Sequence, residues 1–107
     1  MLHWNGKTWQ TVAKNAADYP FAHALTYDGH GGLWLTALSS GASSTEYIVH
    51  YTGGRWTQQA LPAFTGYAGA SVGTLALIPG TESLWGLGGL TPNGGGIGEN
   101  AIFKYGP

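Results

Sequence analysis

The side chains able to do acid–base or metal chemistry are few in this 107-residue chain: four histidines, five carboxylates and four basic residues. A metal ion would need three or four of them to converge, with His3, His50 and either His23 or His30 as the natural set. Yet His3 and His50 stand at equivalent places in a repeated segment, and a third copy of that place holds Lys104. Equivalent positions in successive repeat units lie far apart, so no metal site and no cofactor are expected. Asp28, His30 and Glu82 read as turn residues at corresponding ends of two units. A catalytic pair would need Asp28 to orient His30 with a nucleophile in reach. Ser39, Ser40, Ser43 and Ser44 are the hydroxyls on offer, in a neighbouring polar loop. The run Asp28-Gly29-His30-Gly31-Gly32 is accounted for by turn chemistry, in which Asp bonds its own backbone. No catalytic residue is assigned. Gly94-Gly95-Gly96-Ile97-Gly98 leads into Glu99, Asn100 and a strand, whereas phosphate-cradling loops open a helix and carry Lys with Ser or Thr.

The aromatics are the richer set. Trp9 and Trp56 are expected to pack between sheets. A Trp or Tyr left at a rim, with Asn, Thr and Glu nearby, suits a neutral carbohydrate. Trp34, Trp85, His30, Glu82, Tyr19 and Tyr67 are the ligand-binding candidates. Charged residues make up 8% of the chain, about a third of the usual fraction of roughly 25%, and the net charge is −1. That leaves no basic footprint for nucleic acid. No apolar run reaches the ~20 residues of a membrane-spanning helix, and residues 1–20 lack a signal-peptide pattern. The absence of cysteine excludes disulfides and thiolate metal sites.

The elements that must position these residues are hairpins. His3-Trp4-Asn5-Gly6-Lys7-Thr8-Trp9 and His50-Tyr51-Thr52-Gly53-Gly54-Arg55-Trp56 share one pattern 47 residues apart, with His3, Trp4, Gly6 and Trp9 answered by His50, Tyr51, Gly53 and Trp56. Each predicts a strand, a tight Asn-Gly or Gly-Gly turn with both central residues at φ > 0, and a return strand starting on Trp. Ile102-Phe103-Lys104-Tyr105-Gly106 echoes Ile48-Val49-His50-Tyr51. Strands are expected over 21–27, 33–38, 46–51, 56–61, 70–78, 84–88 and 100–105, with loops at 13–20, 39–45, 62–69 and 91–99. Gly73 predicts a bulge or a close backbone approach.

A hairpin repeat of this length predicts an all-β propeller of two four-stranded blades. One blade is 21–61; the other is 70–107 completed by 1–12. A blade face is apolar, and a two-blade chain leaves two faces open, drawn from Leu33, Leu35, Leu75, Leu77, Trp34 or Trp85. The chain is therefore expected to be its own partner, closing a ring as a dimer, trimer or tetramer, with the six-bladed trimer favoured. The motif copies resemble the repeats of large bacterial β-propeller proteins, in which segments like His-Trp-Asn-Gly-Lys-Thr-Trp end each blade and segments like Ser83 to Gly88 form a middle strand. The chain also resembles, more loosely, two-blade fucose-binding lectins that trimerise. That likeness implies a sugar held between blades by Arg, Glu and Trp, but here the single arginine, Arg55, lies in a turn. The resemblance implies an extracellular setting if the chain is cut from a secreted parent. The function expected is non-enzymatic binding or scaffolding by self-assembly. The alternatives are a carbohydrate-binding lectin and a hydrolase or lyase fragment using the Asp28 and Glu82 loops.

Overall fold

The computed structural model describes residues 2–11, 21–38 and 46–107. The predicted loops at 13–20 and 39–45, with Tyr19 and the four loop serines, lie outside the described residues. Among those described there is no helix. The strands are β1 (Leu2–Trp4), β2 (Trp9–Thr11), β3 (Phe21–Tyr27), β4 (Leu33–Leu38), β5 (Glu46–Thr52), β6 (Arg55–Ala60), β7 (Tyr67–Leu77), β8 (Leu84–Pro92) and β9 (Glu99–Tyr105). They form three antiparallel sheets: β1-β2, β3-β4-β5-β6 and β7-β8-β9. The all-β class and the four-stranded unit between 21 and 61 match the sequence reading. Within one chain the first hairpin pairs only with itself, so the second large sheet has three strands instead of the expected four.

Two local expectations change. The Gly53-Gly54 turn is the tight one foreseen, with Thr52 opposite Arg55 and φ of 58° and 78° at the two glycines. The Asn5-Gly6 turn is not. Trp4 pairs with Trp9 across a four-residue loop in which only Gly6 has positive φ. Asn5 there accepts from the backbone N–H groups of Lys7 and Thr8 through Oδ1, at 2.8 and 2.9 Å. Its side chain supplies the closure that a left-handed backbone would otherwise provide. The other change is in length. β7 starts at Tyr67 and β8 runs to Pro92, because Tyr67, Gly69 and Ala70 find partners in Pro92, Thr91 and Leu90. Small residues carry weak strand signals of their own, and here cross-strand pairing decides.

The two large sheets stack. Alternation puts Trp34, Thr36, Ile48 and His50 on one side of the four-stranded sheet, its front face, and Leu33, Leu35, Ala37 and Val49 on the back. The front face packs on Val72, Leu75, Leu77, Leu84, Phe103 and Tyr105, the back face of the three-stranded sheet. On the far side of the first sheet, Leu35, Ala37 and Val49 are buried among Leu33, Tyr47 and Trp56. The register slips between Val72 and Thr74, so Gly73 is a bulge.

Hydrogen bonds also cross the seam. Buried Thr36 donates through Oγ1 to the Val72 carbonyl at 2.9 Å, and the Leu77 N–H donates to Thr26 Oγ1 at 3.3 Å. Thr36→Val keeps the shape but leaves the carbonyl short of a partner. It is expected to cost about 1 kcal/mol, a fall of several degrees in melting temperature. An unchanged melt would mean that the hydroxyl does not bridge the sheets.

Candidate functional site

The turn from β3 to β4 is built by its own first residue. Gly29 and Gly31 adopt φ of 84° and 85°, which folds the Asp28 carboxylate back over the loop. Asp28 Oδ1 accepts from the backbone N–H of His30 at 2.7 Å and of Gly32 at 2.8 Å. Only glycine fits at 32, where a Cβ would stand 2.3 Å from the Tyr51 carbonyl and 2.5 Å from Asp28 Oδ2.

That second carboxylate oxygen reaches across to β5 and meets His50 Nε2 at 2.8 Å. An ionised carboxylate only accepts, so Nε2 carries the proton. The His50 ring lies flat on Trp34, with centroids 3.9 Å apart and planes within 4°. Tyr105, from the other sheet, meets the edge of Trp34 at 5.5 Å and donates its hydroxyl to Gln59 Oε1 at 2.7 Å. Ser83, in the turn before β8, donates to the Pro107 carbonyl at 2.6 Å. Asp28, Trp34, His50, Gln59, Tyr105 and Pro107 frame a cleft of about 520 Å³ at one end of the seam, with His30 and Glu82 on its rim.

Asp28 is buried. Burial by itself disfavours its charge, but the bonds from His50, His30 and Gly32 outweigh that, and the carboxyl titrates below its ordinary value. The arrangement fixes an imidazole by a carboxylate on one edge and an indole on one face. Chemically this is the orienting half of an acid–base site. The histidine so held is His50, not His30, which offers Asp28 only its backbone N–H. No hydroxyl nucleophile among the described residues is bonded to His50. Leu38 and Glu46, which flank the serine-rich segment, lie at the opposite end of the sheet from Asp28.

Three of the predicted ligand residues, Trp34, His30 and Glu82, line this cleft. Trp85 stands apart on the front face of the three-stranded sheet, about half exposed. Tyr67 sits at the other end of that sheet and donates to Glu99 Oε2 at 2.6 Å, which holds its hydroxyl above the ordinary value. Tyr19 is outside the described residues. Trp56 packs against Tyr51 with centroids 4.6 Å apart, whereas Trp4 and Trp9 pair with each other at 5.6 Å in the exposed hairpin. Among the described residues no three His, Cys, Asp or Glu side chains stand close enough to hold a metal ion.

The sequence reading missed the roles of Gln59, Tyr105 and the Asp28–His50 bond. It also missed a second pair, His23 Nε2 with Glu46 Oε1, in which the Glu46 carboxylate is buried. The one available signal was Asp28 itself: a turn carboxylate uses one oxygen for the loop and leaves the other free. Comparison with family models, curated proteins and solved structures finds no match to this chain.

Proposed function

We propose that this chain is a non-enzymatic scaffolding module that self-assembles head to tail into a closed β-propeller. The observation that carries the reading is a contrast between equivalent positions in the two sheets. In register, Thr36 and Ile48 correspond to Leu87 and Ile102. The first two lie in the seam, 0% and 6% exposed; the second two, on the same face of the next sheet, are 53% and 74% exposed. On the opposite faces the imbalance lies along the edge strand β3, Leu35 and Val49 beside it being buried already. Leu25 and Tyr27 pair with Leu35 and Leu33 as Leu75 and Leu77 pair with Gly86 and Leu84. Leu75 is 8% exposed against the seam, while Leu25 is 64% and Tyr27 60% exposed.

One chain thus contains one seam and the two halves of another. The front face of Trp85, Leu87 and Ile102 is to its sheet what Trp34, Thr36 and Ile48 are to theirs. The surface that fits it is the back face of a second copy's four-stranded sheet. Such heterologous contacts repeat until the rotation closes a ring. Three copies give six blades, in the middle of the range of roughly 4–8 that propellers use.

Light scattering is expected to give three times the 11.2 kDa of the chain. Ile102→Glu, at an exposed site, should leave the circular dichroism of the chain unchanged and weaken association about 30-fold or more. A folded monomer at high micromolar concentration rejects the proposal.

A second reading is favoured by the meeting of Trp34, His30 and Glu82 at the cleft, namely the binding of a neutral sugar there. His50 covers one face of Trp34, so the sugar would lie against the rim and the acidic side chains. A glycan array tests it, and the absence of any bound glycan dismisses it.

A further inference from the structure

We infer that β2 of each copy adds to the outer edge of β9 in a neighbouring copy and completes that copy's three-stranded sheet. This rests on the head-to-tail reading and names the strand that would tie it together.

The strands of the two sheets correspond in register. In the complete sheet β6 starts with Trp56 opposite Tyr51, followed by Thr57 opposite His50. β9 ends on Tyr105, paired with Leu84 as Tyr51 pairs with Leu33. β2 starts on Trp9. Set beside β9 in the β6 position, it places Trp9 opposite Tyr105, Gln10 opposite Lys104 and Thr11 opposite Phe103. In the lone chain, Trp4 fills the place that Tyr105 would take.

Exposure points the same way. Every residue of β1 and β2 is exposed, with Trp9 at 67%, and the hairpin contacts no other strand. Two three-residue strands without a core are marginal in water. Meanwhile β9 presents an outer edge with no strand on it among the described residues, and such an edge is a template for a strand from another chain.

The connections decide whose edge is filled. Residues 61–66 carry the chain from the outer strand β6 to β7, the strand of the next sheet that faces β3, and that next sheet lies on the front face of the β6 sheet. Under the same correspondence, β2 stands to β3 as β6 stands to β7. A sheet completed by β2 must therefore turn its own front face to the back of the β3–β6 sheet. The chain's own β7–β9 lies against the opposite, front, face. The recipient is a second copy.

The chain lacks cysteine, so a cross-link can be read without background. Two single variants, Gln10→Cys and Lys104→Cys, are refolded together as full-length chains and oxidised. Directly opposed residues in an antiparallel pair have Cβ atoms about 4.5–5.5 Å apart, close enough for a disulfide after a small adjustment. A covalent link between the two variants, at least tenfold above that of Gln10→Cys with Ile102→Cys, is the expected result. Both cysteines replace exposed side chains, and circular dichroism of each variant checks its fold. An oligomer whose linkage stays at the control level overturns the strand transfer while leaving face-to-face stacking intact. A folded monomer overturns both. A link formed inside one doubly substituted chain, and not between copies, also overturns it.

Discussion

Gly88→Ala is expected to unfold this protein or lower its melting temperature by tens of degrees. A Cβ at position 88 would stand 1.8 Å from the Ser71 carbonyl oxygen, 2.8 Å from its carbon and 2.9 Å from the Val72 Cα. All three are backbone atoms of β7, so no side chain can rotate away. Relief requires β7 to shift beside its bulge, where Val72 is buried under the four-stranded sheet. Moving Val72 also disturbs the carbonyl that receives the Thr36 hydroxyl. Overpacking an ordinary core costs about 1–3 kcal/mol. A backbone collision in the seam belongs above that, at about 4 kcal/mol or more, a large part of the 5–15 kcal/mol that a small domain has. Gly73→Ala is the control. Its Cβ meets nothing within 4 Å and its φ is not left-handed, so its cost should stay below about 1 kcal/mol. Thermal melts of the two variants within a few degrees of each other would refute this account of the seam.

Gly88 also marks where the sequence ceases to be readable. The pattern Leu84-Trp85-Gly86-Leu87-Gly88 locates a strand, and alternation divides it into two faces. Nothing local says which face will meet another sheet or which glycine will lie under a neighbouring backbone. Of the two readings at Gly73 the bulge holds, and the close backbone approach falls beside it, at Gly88 under Ser71. Strand order within β3–β6 and within β7–β9 was legible from short-range patterns, turn glycines and hairpin aromatics a few residues apart, whereas the expected place of the first hairpin in the second sheet is not met within one chain. The bond from His50 to Asp28 was not legible, since it spans 22 residues and depends on a turn folding its carboxylate inward. Trp34 and Trp85 hold matching places in the two sheets and have different surroundings, one under His50 and the other half exposed. Part of that difference is written in the chain, since Trp85 pairs with Lys104 where Trp34 pairs with His50; the rest comes from the second sheet packing on Trp34.

Asp28→Ala should be nearly as damaging as the glycine change, and more selectively so. It removes the acceptor of two backbone N–H groups, that of Gly32 buried, and strips His50 Nε2 of its carboxylate partner. Donors stranded in that way cost about 1–3 kcal/mol each, and losing one member of a buried pair about 3–5 kcal/mol in all. Asp28→Asn keeps a carbonyl oxygen for the turn and sets an amide against the imidazole, so about 1–2 kcal/mol is expected. The acid limb of stability separates the carboxylate from its shape. The folded carboxyl titrates below its ordinary value, so between that lowered value and the unfolded value of about 3.9 the unfolded chain binds the extra proton. The stabilisation is fully present above about pH 4 to 5 and is lost as pH falls through the folded value. Urea midpoints measured from pH 6 down to pH 3 should fall more steeply for the natural chain than for Asp28→Asn, the other carboxylates being common to both. Parallel slopes would mean that the Asp28 charge contributes nothing. His50 would then owe its place on Trp34 to stacking alone, and the cleft would keep its walls in acid.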